Sequence, residues 1–337
     1  MTLITHRLMR NRSNVHIREL LAQDGLHVAK LVQPIFVEEG LSTSEELPGL
    51  PGNYRMGIDD ALKQIENDVG QSVRNFMLFS IPAKKAISAN AGAQIVDAIK
   101  SRFGSDIQLW VDTCLCSSSP VGHCCIFEAQ QQGGDENKVP NIDIDGTLQA
   151  LGSYALAYAQ AGADGIAPSD MVDGRVAQIR SVLDQNKYDH IPIMSYSTKF
   201  ASQFYGPFRG AASSTPAFGD RKQYQIDVRN RDDAINSSLR CANEGADLLM
   251  LKPGMTAIDL LAPIRRKTGL PVGVYQVSGE YASLALLARE GFADFDQALL
   301  ETWFVYRRAG AQFIITYGAR KALSLGVSSS QISSFGI

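Results

Sequence analysis

Residues 246–277 read ADLLMLKPGMTAIDLLAPIRRKTGLPVGVYQV. Two apolar runs, at 246–252 and 271–277, flank a helical pattern over residues 256–267. Apolar runs that are not interrupted by alternating polar residues are typical of parallel strands buried on both faces, and a helix-length segment is what a parallel connection needs. The stretch therefore predicts one β-α-β unit, in which Lys252 leaves a buried strand directly into a Pro253-Gly254 turn.

The same alternation extends over the whole chain. Eight apolar, β-rich runs recur between helical patterns, many of which end at a glycine. The predicted strands are residues 31–37, 75–81, 107–112, 162–167, 191–196, 246–252, 271–277 and 312–317. Eight units without a linker or a composition shift predict an α/β fold of the (β/α)8 TIM-barrel type.

The predicted barrel does not account for both ends of the chain. We expect an extended N-terminal arm over residues 1–30 that makes subunit contacts, a catalytic barrel over residues 31–330 and a C-terminal tail over residues 331–337. The alternative for the first segment is a frayed terminus. Two connections, residues 114–142 and 199–229, are longer than usual, and long structured loops on a barrel usually carry function.

Composition narrows the possible partners. The chain has 337 residues, 45% hydrophobic and 20% charged, with a formal net charge of −3. This is typical of a globular protein that builds a full core without disulfides or a structural metal. Because there is no polybasic run, we expect neither nucleic acid nor a membrane surface as a partner. There is no apolar run of about 18 residues and no signal-like leader, so we expect a cytoplasmic protein.

Four of the five cysteines fall in one short segment. Cys114, Cys116 and Cys124 offer three thiolates, a soft ligand set that suits zinc. Three protein ligands leave a fourth position open, which is the arrangement of catalytic zinc. His123 and Cys125 are adjacent further candidates that spacing does not exclude. The alternative, a group of inert buried thiols, is weak for so many cysteines in one loop.

Two lysines end neighbouring predicted strands. Lys199 follows the fifth apolar run and Lys252 ends the sixth. An apolar setting or a second cation disfavours the ammonium form of a lysine, and the free amine then attacks carbonyl carbons to form a Schiff base. A lone lysine at a strand end would more often extend to solvent. Two together, near a cysteine cluster, favour the catalytic interpretation.

The segment after Lys199 carries further cations. Arg209 and Arg221 flank a stretch rich in glycine and serine, residues 210–219. Arginines in this position suit a bidentate clamp on a substrate carboxylate, and the stretch between them suits a mobile lid.

Several motifs of the chain are specific. They are Asp112-Thr-Cys-Leu-Cys116, Ala167-Pro-Ser-Asp-Met-Val-Asp-Gly-Arg175, Met194-Ser-Tyr-Ser-Thr-Lys-Phe200, Phe204-Tyr-Gly-Pro-Phe-Arg209, Leu251-Lys-Pro-Gly254 and Tyr275-Gln-Val-Ser-Gly-Glu-Tyr281. With these motifs, the chain resembles the porphobilinogen synthase family, also called δ-aminolevulinate dehydratase, over nearly its whole length.

The resemblance implies a hydro-lyase of tetrapyrrole (heme) biosynthesis, which condenses two 5-aminolevulinate molecules to porphobilinogen and two waters. It implies that Lys252 forms a Schiff base with the molecule that becomes the propionate side, and Lys199 with the one that becomes the acetate side. Zinc on the three cysteines would polarise the acetate-side molecule, with Asp112 and Ser169 assisting orientation and proton transfer. The other implied substrate contacts are Tyr205, Arg209, Arg221 and Gln225, with Ser278 and Tyr317 for the propionate-side carboxylate.

The family also implies a homo-oligomer, an octamer in its usual form, and this chain departs from the family pattern in three places. Ser117-Ser-Ser-Pro-Val-Gly-His123 replaces the usual sequence between the cysteines, and Ala83-Lys-Lys-Ala86 replaces a longer acidic loop. Ser237 stands where many bacterial members have a glutamate that binds allosteric magnesium, so we do not expect that magnesium.

Two rival functions remain at this point. A class I aldolase would need one Schiff-base lysine and no thiol metal site. An inactive paralogue, retained as a binding or assembly protein, would be consistent with the altered loop over residues 117–121.

Overall fold

Eight parallel strands form the centre of the molecule. The computed structural model describes Ile17, residues 25–128 and residues 140–329. The strands are β1 (Leu31–Glu38), β2 (Asn75–Ile81), β3 (Gln108–Thr113), β4 (Gly165–Pro168), β5 (Met194–Lys199), β6 (Leu248–Lys252), β7 (Val272–Tyr275) and β8 (Ile314–Ile315). Their side chains are almost entirely buried, as expected of strands covered on both faces.

The strand order closes a barrel. Neighbours pair in parallel in the order β4-β3-β2-β1-β8-β7-β6-β5. A parallel bridge between Ile166 and Ile193 joins the two ends of this path, β4 and the residue that precedes β5. The predicted (β/α)8 TIM-type architecture is therefore confirmed, and the carboxyl ends of all eight strands meet at one face.

Helices surround the barrel. They are α1 (Ile58–Gly70), α2 (Asn90–Phe103), α3 (Ile144–Gln160), α4 (Arg175–Gln185), α5 (Gly206–Ala211), α6 (Arg231–Asn243), α7 (Leu261–Thr268), α8 (Ser278–Arg289) and α9 (Phe295–Arg308). Short side chains start several of them: Asp143 accepts a hydrogen bond from the backbone N–H of Gly146, and Asp294 accepts one from Gln297. No helix in the described ranges is both long and apolar enough to cross a bilayer.

Two glycines in the strands make room for aromatic side chains. A Cβ atom on Gly165 would lie 2.2 Å from the ring of Trp110, and one on Gly273 would lie 2.3 Å from the ring of Phe313. Any other residue would push these rings out of the packed layer between strands and helices. These glycines are thus required by packing.

Some element boundaries differ from the sequence prediction. β5 runs three residues further than predicted, because the polar residues at its end are buried and bonded to α6: Thr198 Oγ1 donates to the Ala234 carbonyl at 3.1 Å. The predicted helix over 256–267 is divided into a 3-10 helix, Met255–Leu260, and α7. α8 starts at Ser278, where the Glu280 side chain caps its first turn.

The ends of the chain lie mostly outside the described residues. Of the predicted arm over residues 1–30, the structure describes Ile17 and residues 25–30, which include a 3-10 turn, Val28–Lys30. The predicted tail over residues 331–337 lies outside them altogether. The described part of the chain enters the barrel at Leu31.

Candidate active site

The two lysines lie side by side at the carboxyl ends of adjacent strands. Lys199 ends β5 and Lys252 ends β6, and they are direct partners in the register of this strand pair. Both side chains are buried, with 5% and 3% of their surface exposed. The predicted proximity of the two amines therefore follows from the strand pairing itself.

Aromatic rings surround the amine of Lys252. Its Nζ lies 4.2 Å from the ring centre of Tyr275, 4.6 Å from Phe208, 5.2 Å from Tyr196 and 5.4 Å from Tyr205. Burial, and then the positive charge of Lys199, lowers the pKa of Lys252 to about 7. Although the rings attract a cation, a large fraction of Lys252 is a free amine at neutral pH.

Lys199 is held by the neighbouring strand. Its Nζ donates a hydrogen bond to the carbonyl of Ser169, directly after β4, and lies 5.8 Å from the ring centre of Tyr196. Tyr196 lies on the strand that carries Lys199 and contacts both lysines. The two amines therefore share one aromatic neighbour.

Asp112 faces the lysine pair from β3. Burial raises the pKa of Asp112 to about 6, although the charges of Lys199 and Lys252 oppose this shift. Its Oδ1 is buried and has no hydrogen-bond partner in the described part of the chain. A carboxyl group with such a pKa can exchange a proton near neutral pH.

Cys114, Cys116 and Cys124 form one buried cluster in the loop after β3. Their sulfur atoms lie within 4.8 Å of one another. Hydrogen bonds from Cys114 and Cys116, and the positive charge of Arg221 and Lys199, hold the pKa of Cys124 well below its usual value. Contact with the neighbouring sulfurs and burial raise the pKa of Cys114, and the pKa of Cys116 is raised to about 11, so the setting favours one thiolate among the three. Three converging sulfurs fit a soft metal ion such as zinc. The cluster could therefore hold a metal ion.

The two adjacent candidates do not join this cluster. His123 uses both ring nitrogens elsewhere, since Nδ1 lies 2.9 Å from the Tyr224 hydroxyl and Nε2 lies 3.0 Å from the Phe218 carbonyl. Cys125 is buried, but it is not one of the three grouped sulfurs. Of the alternatives that spacing left open, the structure brings together Cys114, Cys116 and Cys124.

The predicted carboxylate clamp lies next to the cysteines. Arg221 is buried and donates to the carbonyls of Gly122 and Ser214, at 3.0 and 2.5 Å. Arg209 is half-buried, and its pKa is lowered mainly by burial and secondly by the charge of Arg221. Three buried donor atoms of this clamp have no hydrogen-bond partner in the described residues: Arg209 Nε, Arg221 Nε and Gln225 Nε2. Such donors suit an anionic ligand.

The remaining predicted contacts lie around Lys252. The Tyr205 hydroxyl donates to the carbonyls of Phe200 and Lys252, at 2.7 and 3.1 Å, and so ties the ends of β5 and β6 together. Ser278 Oγ accepts a hydrogen bond from the N–H of Phe208 at 3.0 Å. The Tyr317 hydroxyl lies 3.2 Å from that of Tyr275.

Sequence reasoning found Tyr205 but missed the other three aromatic residues around Lys252. Tyr196 and Tyr275 lie on β5 and β7, and Phe208 lies in α5, before the stretch over residues 210–219 that was predicted to be a lid. Buried aromatic residues are common in any core, so no pattern distinguishes those that contact an amine. Ser237, the position assigned to the magnesium site, donates a hydrogen bond to the Ser197 carbonyl at 2.7 Å.

Comparison with known proteins identifies the family. Residues 5–325 match the family model described as delta-aminolevulinic acid dehydratase. A protein of that name from Helicobacter pylori is 39% identical over 95% of this chain and 98% of its own length. The one from Halalkalibacterium halodurans is 38% identical over 92% of this chain and 94% of its own length.

A solved structure gives the same result. The delta-aminolevulinic acid dehydratase of Toxoplasma gondii, crystallised with the reaction product porphobilinogen, superposes with a TM-score of 0.87. It is 36% identical, and the match covers 96% of this chain and 92% of that one. The chain described here therefore belongs to the delta-aminolevulinic acid dehydratase, or porphobilinogen synthase, family of hydro-lyases.

Proposed function

We propose that this chain condenses two molecules of 5-aminolevulinate to porphobilinogen, with release of two waters, in tetrapyrrole (heme) biosynthesis. The observation that carries the proposal is the pair of buried lysines, adjacent in register, of which Lys252 has a pKa lowered to about 7. A carbonyl condensation through two amines needs both groups at one place, and one of them uncharged.

Lys252 is the first nucleophile in this mechanism. Its free amine attacks the ketone carbon of one substrate molecule, a carbon–nitrogen double bond forms, and the ketone oxygen leaves as water. The surrounding rings exclude water and stabilise the cationic imine by cation–π contact. Lys199 attacks the ketone carbon of the second molecule, next to the cysteine cluster, after its ammonium group has passed a proton to Asp112.

Asp112 moves protons between the two substrate molecules. Its pKa of about 6 allows it to accept a proton and return it near neutral pH, and it interacts with both lysine charges. Ser169, whose carbonyl accepts the hydrogen bond from Lys199, orients that amine. We assign orientation to Ser169 and proton transfer to Asp112.

Cys114, Cys116 and Cys124 are the residues that would hold zinc. When bound, zinc supplies a Lewis acid that polarises the acetate-side substrate. The loop over Ser117–His123 that differs from the family keeps the three sulfurs converged: the Ser118 hydroxyl lies 2.7 Å from that of Tyr154, and the N–H of Ser118 donates to the Leu115 carbonyl. This packing argues against an inactive relative.

Two groups of side chains bind the two carboxylates. Arg209, Arg221 and Gln225 present unpartnered donors beside the cysteines and would bind the acetate-side carboxylate. Ser278 and Tyr317, together with Tyr205, would contact the propionate-side molecule near Lys252. The near-neutral overall charge of the chain is consistent with recognition by local donors.

Incubation with 5-aminolevulinate, zinc and a thiol reductant tests the proposal. We expect a pyrrole product, no product from Lys252→Ala, and loss of the borohydride-trapped adduct at residue 252 in that variant. Absence of pyrrole from the wild-type chain would refute the proposal. Adduct formation that needs no metal, at one lysine only and without pyrrole, would indicate an aldolase instead.

We also propose a homo-oligomer, with an octamer as the specific assembly, and an arm over residues 1–30 that makes subunit contacts. Exposed apolar side chains on two helices that contact each other support subunit contacts. They are Leu286, Leu287, Phe292 and Phe304, on or beside α8 and α9. Native mass spectrometry of the full chain and of a chain that lacks the arm tests the mass and the role of the arm.

A reducing compartment, the cytoplasm, suits the chain. All five cysteines are free, and three of them would have to remain thiolates to hold the metal. Fractionation of the native cells with detection of the protein tests this placement.

A further inference from the structure

We propose that Glu280 is a positioning residue that holds the loop after Lys252 and the segment carrying Ser278 in one fixed arrangement. The amine that forms the Schiff base and the hydroxyl assigned to the substrate carboxylate are then kept at a constant separation. This inference deepens the proposed function and rests on it.

The carboxylate of Glu280 bridges two loops. Oε1 accepts a hydrogen bond from the backbone N–H of Met255 at 2.6 Å, and Oε2 accepts one from Val277 at 2.6 Å. Burial raises the pKa of Glu280 to about 7, although the nearby backbone N–H groups favour its charged form. The side chain is 8% exposed. One buried carboxylate is thus shared by the connections that follow β6 and β7.

On the β6 side, Glu280 acts on the short loop that leaves Lys252. Met255 is three residues from Lys252, and the N–H of Gly254 donates to the carbonyl of Tyr275 at 2.8 Å. Tyr275 is the ring that lies 4.2 Å from the Lys252 amine. The loop held by Glu280 therefore connects the reactive lysine to the ring that contacts its amine.

On the β7 side, Glu280 acts on the start of α8. Val277 is the N-cap residue and Ser278 is the first residue of the helix. Ser278 Oγ accepts from the N–H of Phe208, whose ring also lies 4.6 Å from the Lys252 amine. Both connections held by the carboxylate therefore lead to groups that contact the same amine or its rings.

An ordinary helix cap would need only one of these bonds. A capping carboxylate bonds to N–H groups of its own first turn, as Asp294 does at the start of α9. Glu280 makes its second bond to a loop 25 residues away. This long-range bond is what distinguishes positioning from capping.

The test compares Glu280→Gln with Asp294→Asn, a matched variant that makes the same carboxylate-to-amide change at a helix cap away from the site. Each full-length protein is incubated with levulinic acid, which has a ketone and a carboxylate but no amine, and is then reduced with borohydride. Peptide mass spectrometry measures the adduct at Lys252 and at Lys199 separately. In Glu280→Gln the new amide group presents a donor to one of the two N–H groups, so one bond is lost.

We expect Glu280→Gln to reduce the initial rate of adduct formation at Lys252 about tenfold, relative to the rate at Lys199. Asp294→Asn should leave this ratio unchanged. If Glu280→Gln does not yield folded protein, Glu280→Asp is used in its place. This variant keeps the charge but is one methylene shorter, so the ratio of adduct at Lys252 to adduct at Lys199 should fall by less than tenfold.

Two results would overturn the inference. One is an unchanged ratio in Glu280→Gln, and the other is an equal loss at both lysines, as a purely structural role would produce. A wild-type chain that forms neither adduct nor pyrrole would instead refute the proposed function. The two failures are therefore distinguishable.

Discussion

The side chain of Lys252 combines an apolar environment with a neighbouring cation. The rings of Tyr275 and Phe208 attract its charged form, whereas burial and Lys199 disfavour that form. Burial is the largest cause of the lowered pKa of Lys252, and the charge of Lys199 is the second. The lowered pKa of this amine therefore depends on the buried position in which β6 ends.

The charge of Lys199 can be separated from the effect of burial. We expect Lys199→Met to move the pKa of Lys252 upward, by roughly one unit, because a repelling charge is removed. The pH dependence of borohydride trapping by levulinic acid at Lys252 measures this pKa. In the wild type the trapping rate should rise through about pH 7. A midpoint that does not move in the variant would show that burial alone sets the pKa.

Burial of Lys252 also costs stability. The folded-state pKa is about 7 and the ordinary value is 10.5, so between these values the unfolded chain binds more protons. The free energy of unfolding therefore rises with pH across that window, and the penalty for burying Lys252 is greatest below pH 7. We expect Lys252→Met to abolish turnover but to raise the free energy of unfolding near pH 7 by about 1–2 kcal/mol.

Urea unfolding near pH 7 and near pH 10 measures this effect, and the gain should shrink at the higher pH. Lys267→Met, at an exposed position in the last turn of α7, is the matched control and should change little. A loss of stability in Lys252→Met would contradict the expected penalty.

At the scale of elements, α5 and the residues that follow it, up to Arg221, form a cover over the site. This cover reaches the cysteine loop through Arg221, which donates to the carbonyl of Gly122 in that loop and to the carbonyl of Ser214 within the cover. The cover also reaches the loop after β2, where Lys85 Nζ donates to the Ser213 carbonyl at 2.8 Å. The cover is thus held from two sides.

The contact of Lys85 lies outside the site and can be removed alone. We expect Lys85→Met to raise the KM for 5-aminolevulinate roughly twofold to fivefold, with kcat little changed, since an exposed hydrogen bond contributes about 1 kcal/mol or less. Steady-state kinetics measure both constants. Lys84→Met, the exposed neighbour, is the matched control. Equal constants in both variants would show that this contact does not hold the cover in place.

At the scale of the whole molecule, the apolar core is separate from the cysteine cluster that could hold a metal ion. The barrel core is one continuous set of buried apolar side chains, and the three cysteines lie in a loop beside it. A chain of this size buries about 75% of its unfolded surface, which is enough to fold without a metal. The metal site should therefore serve chemistry.

Removal of the metal tests this separation. We expect a zinc chelator to abolish pyrrole formation while the circular dichroism spectrum is retained, and zinc to restore activity. Cys116→Ser should lower the metal content, whereas Cys241→Ser, a buried thiol in α6 outside the cluster, should keep it. Unfolding on chelation would make the metal structural.

The barrel was predictable because each unit carries its own signal. The apolar run over residues 75–81 matches β2 at both boundaries. Prediction was less accurate where polar residues are buried, as at the end of β5, since Thr198 is accommodated only by bonds to α6. A pattern of apolar residues does not predict that such polar residues belong to a strand.

The sequence alone determined the strand count, and it also placed Lys199, Lys252 and the cysteine triad at strand ends, because these depend on local patterns. The tertiary structure decided which groups meet. His123 does not join the sulfur cluster, because both of its ring nitrogens contact other groups. Aromatic rings from separate elements surround Lys252, and Glu280 joins two loops. Burial and long-range contacts set pKa values and geometry, and these arise only when distant segments pack together.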